Sequence, residues 1–533
     1  MAMDFDVIVV GTGFGGAITS CRLAESGARV LVLERGRRWT PATYPRKLGD
    51  PWLYHPGHPE KHNGWLDLRF FRGMTVAQGA GVGGGSLCYS SVVMEADSEC
   101  FTTGWPAEIT LDELRPYYAK VRQMMALSPI PKRQETHRFA LLRRAAEKLG
   151  HGDRFERVPL AISFDPEYSY DLPDAIDAKH SKRFTNDQGV AQGTCVHLGN
   201  CDIGCDVHAK NTLDLNYIPQ AEKHGAEVRT LHLVRRVEPR GTGYRVVWDA
   251  LTDGRRARGS ATADRVILAA GSLGSTEILL RCRDRHKTLR ALSPRLGMQW
   301  SANANFLTPA VYPEEVTVNQ GIGPTISAGL AFMDGSHHGQ RFYIEDDGFP
   351  NLLHNALEAR IAAGGIGGFA ARRLRRRLGV SAERGLEEKN PAAQMMVWLG
   401  EGIDAADGRL VLGRRFFAPW QREIKLRWSS RGSRAVIDAI LDLHKQLSGV
   451  EGGKLQIPLY WRFLRSLVTV HPLGGCAMGN GPEDGVVDHR GEVFGHPNLF
   501  VADGALLPAP TGRNPSMTIG ALAERVAERI TRD

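Results

Sequence analysis

Apolar runs of strand length bracket a glycine turn at the start of the chain. Residues 6–10 (Asp-Val-Ile-Val-Val) lead directly into Gly11-Thr12-Gly13-Phe14-Gly15-Gly16. Residues 17–24 then read as a helix, and a second apolar run, 29–33, ends at Glu34. Strand, glycine turn, helix, strand and acid, in that order, make a βαβ dinucleotide unit. Gly11 permits the tight turn, Gly13 lets a pyrophosphate approach the backbone, and Gly16 lets the helix pack close to the strand. The helix N-terminus offers free N–H groups and a positive dipole end to phosphates. Glu34 stands where a carboxylate binds both hydroxyls of a ribose and would repel a 2′-phosphate. The unit specifies a dinucleotide but leaves nicotinamide and flavin open.

Further along, residues 35–72 are rich in Pro, Trp, Tyr and His and show no sustained period, which predicts an irregular segment against a ligand. A second glycine-rich stretch follows, Gly79-Ala80-Gly81-Val82-Gly83-Gly84-Gly85-Ser86-Leu87, with an apolar continuation to Met94. Backbone without side chains can lie against an extended ligand. Helices are predicted over 110–127, 136–149 and 212–223, and strands over 227–232 and 244–248. Residues 266–271 read as a buried strand ending at Gly271, followed by a helix over 272–280. Strand-like runs alternate with loops over 300–460, which predicts an antiparallel sheet. Residues 498–504 form a last strand ending in Asp503-Gly504, and Asn514-Pro515-Ser516-Met517 opens a helix running to about 530.

The fold class is therefore α/β: a Rossmann-type domain with a second, antiparallel-sheet domain. With 533 residues the chain exceeds what one core usually supports. The expected division gives 1–110, 190–300 and 465–533 to the dinucleotide domain, and 111–189 and 301–464 to a substrate domain. The net charge of +8 is mild for this length and does not by itself imply nucleic acid. Eight cysteines are too sparse for a disulfide scaffold. The dinucleotide strand begins almost at once, leaving no room for a cleavable leader, so a reducing cytoplasm is the expected compartment.

The glycine turn ending at Glu34, the segment 81–87, His471-Pro472-Leu473-Gly474-Gly475, Asp503-Gly504 and Asn514-Pro515 together resemble the glucose–methanol–choline oxidoreductases, most closely the cholesterol oxidase branch. The resemblance implies FAD. Gly11, Gly13, Phe14, Gly15, Gly16 and Glu34 would hold its ADP half, and Val234 would meet adenine through its backbone. Gly81, Gly83, Gly84, Gly85 and Ser86 would run beneath pyrophosphate and flavin, with Gly271 closing over the dinucleotide. Asp503 and Gly504 would contact the ribityl region, and Asn514, Pro515 and Met517 the pyrimidine end. Some members bind flavin covalently through a histidine near the glycine-rich segment. None occurs between Gly83 and Thr103 here, so non-covalent FAD is expected.

Oxidising an alcohol removes a hydroxyl proton and a hydride from one carbon, and the protein must handle the proton. His471 follows an apolar strand and precedes a turn, a common place for a catalytic base. Asn514 would orient the hydroxyl, the His–Asn pair of the cholesterol oxidase branch. Glu345 stands where that branch carries an isomerisation carboxylate, although with Asp346 and Asp347 following, it also reads as part of an exposed acidic turn.

Cys195, Cys201 and Cys205 lie within eleven residues, but their spacing is not a standard zinc pattern. Buried, redox-idle thiols are the favoured reading, and no metal is expected. The basic run from Arg372 to Arg377 reads as a solvated helix face or as a peripheral contact with anionic lipid. No base-reading motif accompanies it. The expected reaction is oxidation of a bulky apolar secondary alcohol, such as a 3β-hydroxysteroid, with oxygen or another electron acceptor. A dehydrogenase using a quinone or protein acceptor, or a non-redox flavin-dependent lyase, are the alternatives.

Overall fold

The structure is a computed structural model and describes residues 3–532 except 48, 253, 319, 351–393, 416 and 417. The basic run 371–378 lies outside the described residues. Among those described, no helix is long and apolar enough to cross a membrane.

A seven-stranded sheet carries the dinucleotide half. Its parallel part sets Glu227–Arg229, Val30–Leu33, Phe5–Val10 and the end of Arg255–Leu268 side by side, with Leu499–Val501 on the far flank of the last. Strands buried on both faces need continuous apolar runs, and Val7 to Val10 and Val30 to Leu33 are all at most 3% exposed. The first half of Arg255–Leu268 instead pairs antiparallel with Gly243–Thr252, which pairs with His232–Arg240. The run 227–232 is thus two strands rather than one. Leu231 takes a left-handed backbone (φ 59°) that ends the parallel strand and starts the meander.

The helix Phe14–Glu25 lies against the C-terminal helix Ser516–Arg532, which also packs on Leu111–Met124. Arg22 and Glu524 clamp the first two of these helices through two 2.8 Å hydrogen bonds, and Tyr217 donates to the same carboxylate at 2.8 Å.

The second half is a six-stranded antiparallel sheet ordered Lys454–Leu455, Phe306–Val311, Met395–Gly402, Gln340–Asp347, Ala328–His337 and Phe155–Arg157. The helix Arg434–Gly449 covers it, with Val436, Ile437, Ile440, Leu443 and Leu447 buried at helical spacing. A reading of strands and loops alone over 300–460 misses this helix. A three-stranded sheet, Leu66–Phe71, Met74–Gly79 and Leu467–Thr469, brings the His471 segment alongside the glycine-rich stretch. Leu66–Phe71 lies within the segment expected to be irregular.

Candidate active site

One cavity of about 1230 Å³ runs from the glycine turn and Glu34 to His471 and Asn514. At its dinucleotide end, Gly11 has φ 99°, and a Cβ there would stand 2.3 Å from Ala269 O. Gly15 and Gly16 are closed to side chains by Ala502 O and Gly11 O, at 2.1 and 2.0 Å. The two glycine turns touch: a Cβ on Gly84 would meet Gly13 Cα at 2.5 Å. A Cβ on Gly85 would meet no atom within 4 Å, so its side of the turn opens into the cavity.

Thr12 joins the two turns. Its hydroxyl donates to Glu34 Oε2 at 2.7 Å and accepts from Gly83 N at 3.2 Å. Glu34 Oε1 accepts from Gly36 N at 2.8 Å. Phe14, Val234, Gly271, Gly504 and Pro515 also line the cavity. Gly16, Gly81, Gly83, Ser86 and Met517 do not, and stand behind its wall. Ser86 Oγ there donates to Gly83 O at 2.8 Å and accepts from Leu213 N at 3.0 Å, holding the turn. Asp503 lines the cavity, yet its carboxylate is engaged internally by Gly271 N, Ser275 Oγ and Ala505 N. Burial pushes its pKa up to about 6.

At the other end, Asn514 donates from Nδ2 to Glu401 Oε1 at 2.8 Å and to Glu345 Oε2 at 3.3 Å. Its Oδ1 is buried without a partner. Glu345 is fully buried and so sits on no exposed turn. Burial, then the neighbouring Glu401 carboxylate, raise it well above the usual carboxylate range. Glu401 also accepts from Asn303 Nδ2 at 3.1 Å.

His471 Nδ1 faces two groups, Asn305 Nδ2 at 3.1 Å and Glu401 Oε2 at 3.4 Å. Asn305 Oδ1 is committed to Thr469 Oγ1 and Val470 N, which fixes its amide with the NH₂ toward the ring. Asn303 and Ala304, with φ 53° and 46°, hold this loop in the left-handed region. The Asp404 carboxylate anchors it through Ser301 Oγ, Ala302 N and Ala304 N.

Sequence reading missed Thr12, Asn305 and Glu401. Glu401 left a signal, a lone carboxylate in the apolar strand Met395–Gly402; Asn305 and Thr12 left none. Cys195, Cys201 and Cys205 are free thiols whose sulfurs do not converge as a three-ligand group. Lys210, buried above their loop, donates to Leu87 O, Tyr89 O and Cys201 O and ties it to the glycine-rich stretch.

A dinucleotide groove that continues under an antiparallel sheet to an imidazole, a carboxamide and a buried carboxyl pair is the architecture of a flavin-dependent oxidoreductase. Residues 184–288 and 451–523 match two models described as GMC oxidoreductase, and residues 9–59 match an NAD(P)-binding Rossmann-like domain. The chain is 30% identical over 551 residues to a cholesterol oxidase of Mycobacterium tuberculosis, covering 99% of this chain and 91% of the relative. It is 29% identical to a cholesterol oxidase of Acinetobacter baumannii, covering 99% and 94%. A 2-methyl-1,2-propanediol dehydrogenase of Mycolicibacterium austroafricanum is 25% identical, covering 99% and 95%. The crystal structure of pyridoxine 4-oxidase from Mesorbium loti superposes with TM-score 0.62 at 17% identity, covering 99% of both chains. The chain belongs to the GMC oxidoreductase family, in its cholesterol oxidase-like branch, and is an FAD-dependent oxidoreductase acting on CH–OH donors. The residues fit FAD: side chains at Gly13 or Gly85 would project into the groove, and the orphaned Asn514 Oδ1 awaits a donor.

Proposed function

We propose that the protein oxidises a bulky, apolar secondary alcohol of the 3β-hydroxysteroid type to a ketone, with FAD held non-covalently. The convergence of His471 and Asn514 on one end of the cavity, with the Glu345–Glu401 pair bonded to them from behind its wall, carries this reading. Bound here, the flavin supplies the hydride acceptor. Gly13, Gly84 and Gly85 would hold its pyrophosphate region and Glu34 its adenosine ribose.

His471 handles the hydroxyl proton at Nε2, the ring nitrogen left free by Asn305 and Glu401. Accepting a proton there requires the ring's own hydrogen on Nδ1, where Glu401 is the acceptor. Asn305 donates to Nδ1 and favours the opposite tautomer, which presents an Nε2–H donor to the alcohol oxygen. Competition between the two at Nδ1 therefore sets how His471 meets the substrate. Asn514, locked by two carboxyls, orients the hydroxyl with its free Oδ1. Glu345, a buried acid behind the cavity wall whose hold on its proton burial strengthens, is the candidate for moving a proton along the product in an isomerisation, acting through Asn514.

Exposed apolar side chains on elements joined to the His471 segment support a lipophilic substrate. Val470, half-exposed, lines the cavity beside His471, while Phe463 and Leu464 are 70% and 74% exposed on the helix Leu459–Leu464 that precedes it, and Phe70 is 75% exposed on the strand Leu66–Phe71 of the same three-stranded sheet. Exposed apolar side chains flanked by Arg462 and Arg465 suit contact with a lipid surface. The dehydrogenase among the relatives keeps acceptors other than oxygen in view. Anaerobic titration of the flavin absorbance with sterols, long-chain alcohols and small diols tests the proposal. Bleaching by sterols, with reoxidation by air, is expected. Reduction by small diols alone would overturn the substrate class.

A further inference from the structure

The hairpin of Ala328–His337 and Gln340–Asp347 turns through His338 and Gly339, and its tip rests on the helix Arg434–Gly449. There His337 Nε2 and His338 Nε2 lie 3.3 and 3.0 Å from Asp442 Oδ2. Among the described residues this is the only group of three His, Cys, Asp or Glu ligand atoms within 4.8 Å of one another. Ligand atoms held about 2.0–2.1 Å from a tetrahedral zinc are separated by about 3.3 Å; the His337–Asp442 distance of 3.3 Å equals that edge, and the His338–Asp442 distance of 3.0 Å is slightly shorter.

Hydrogen bonding alone leaves the cluster unsatisfied. Asp442 Oδ2 already accepts from Gln446 Nε2 at 2.8 Å and from His338, while the buried His337 Nε2 has no hydrogen-bond partner. Successive strand residues normally point to opposite faces. Here the left-handed backbone at His338 (φ 51°) breaks that alternation and brings the two rings to 4.4 Å.

We propose that His337, His338 and Asp442 form a binding site for a zinc-class divalent cation, with the remaining coordination completed by water. None of the three lines the large cavity, so the site is separate from the alcohol-oxidising centre. The cation would pin the hairpin tip to a helix that packs on the strands carrying Glu345 and Glu401, and so brace the sheet beneath the candidate active site.

The test uses tag-free, FAD-loaded, full-length protein stripped with EDTA. After equilibrium dialysis against zinc chloride, bound zinc is counted by elemental analysis and the Tm is read with and without zinc. Wild type is expected to bind one zinc per chain more than His338→Gln or Asp442→Asn, and to show a zinc-dependent rise in Tm that both variants lose. His338 is 61% exposed and Asp442 41%, so both variants should keep the wild-type FAD content and zinc-free Tm. Equal zinc counts and equal Tm shifts in all three proteins, or no zinc on wild type, would overturn the site.

Discussion

Replacing Glu345 with glutamine should stabilise the protein, and by an amount that grows with pH. Glu345 is buried beside the Glu401 carboxylate, which lifts its pKa well above its ordinary 4.5. A carboxyl whose folded pKa is raised favours the folded state fully below the unfolded pKa. That advantage disappears as pH climbs from the unfolded toward the folded pKa, because the unfolded chain releases its proton and the folded one keeps it. Each pH unit of this mismatch costs about 1.4 kcal/mol, so the variant should gain about that much on wild type for every unit that pH rises between the two pKa values. Glutamine retains the shape, accepts from Asn514 Nδ2 through its carbonyl, and donates an N–H to Glu401 with no proton to lose. Urea unfolding of wild type and Glu345→Gln, followed by tryptophan fluorescence from about pH 4.5 to 8, reads the difference. The two midpoints should nearly coincide at the acid end and separate as pH rises, with the variant more stable. A gap that does not change with pH, or a variant less stable at neutral pH, would refute the protonated pair.

Gly84→Ala should force the two glycine turns apart, since its Cβ would lie 2.5 Å from Gly13 Cα, and cost about 1–3 kcal/mol; FAD content after purification and FAD affinity by fluorescence quenching would both fall. His471→Ala should retain bound flavin but lower kcat by about 10²–10⁴-fold, the usual worth of a positioned acid–base group, as read by the anaerobic rate of flavin reduction. Glu524→Leu leaves Arg22 and Tyr217 without their shared carboxylate. Because Arg22 is partly exposed, the cost should be about 2 kcal/mol rather than the full value for a buried pair, visible as a lower thermal midpoint.

The sequence alone carried the dinucleotide unit, because strand, glycine turn, helix and acid follow one another without interruption up to Glu34 and each glycine answers a local need. Gly11, Gly15 and Gly16 are closed to any side chain by backbone oxygens 2.0–2.3 Å away, and that pressure was written into the sequence. His471 and Asn514 were legible from their motifs and the family resemblance these carry. What the sequence could not show is what faces them. Asn305 and Glu401 reach His471 from a left-handed loop and an antiparallel strand, both far away along the chain. Glu345 read both as an isomerisation carboxylate and, with Asp346 and Asp347, as part of an exposed turn; the sheet buries all three, since charge in a sequence does not reveal burial. Local geometry is fixed by neighbours along the chain. Protonation states and tautomers depend on desolvation and on partners from distant strands, and only tertiary packing determines those.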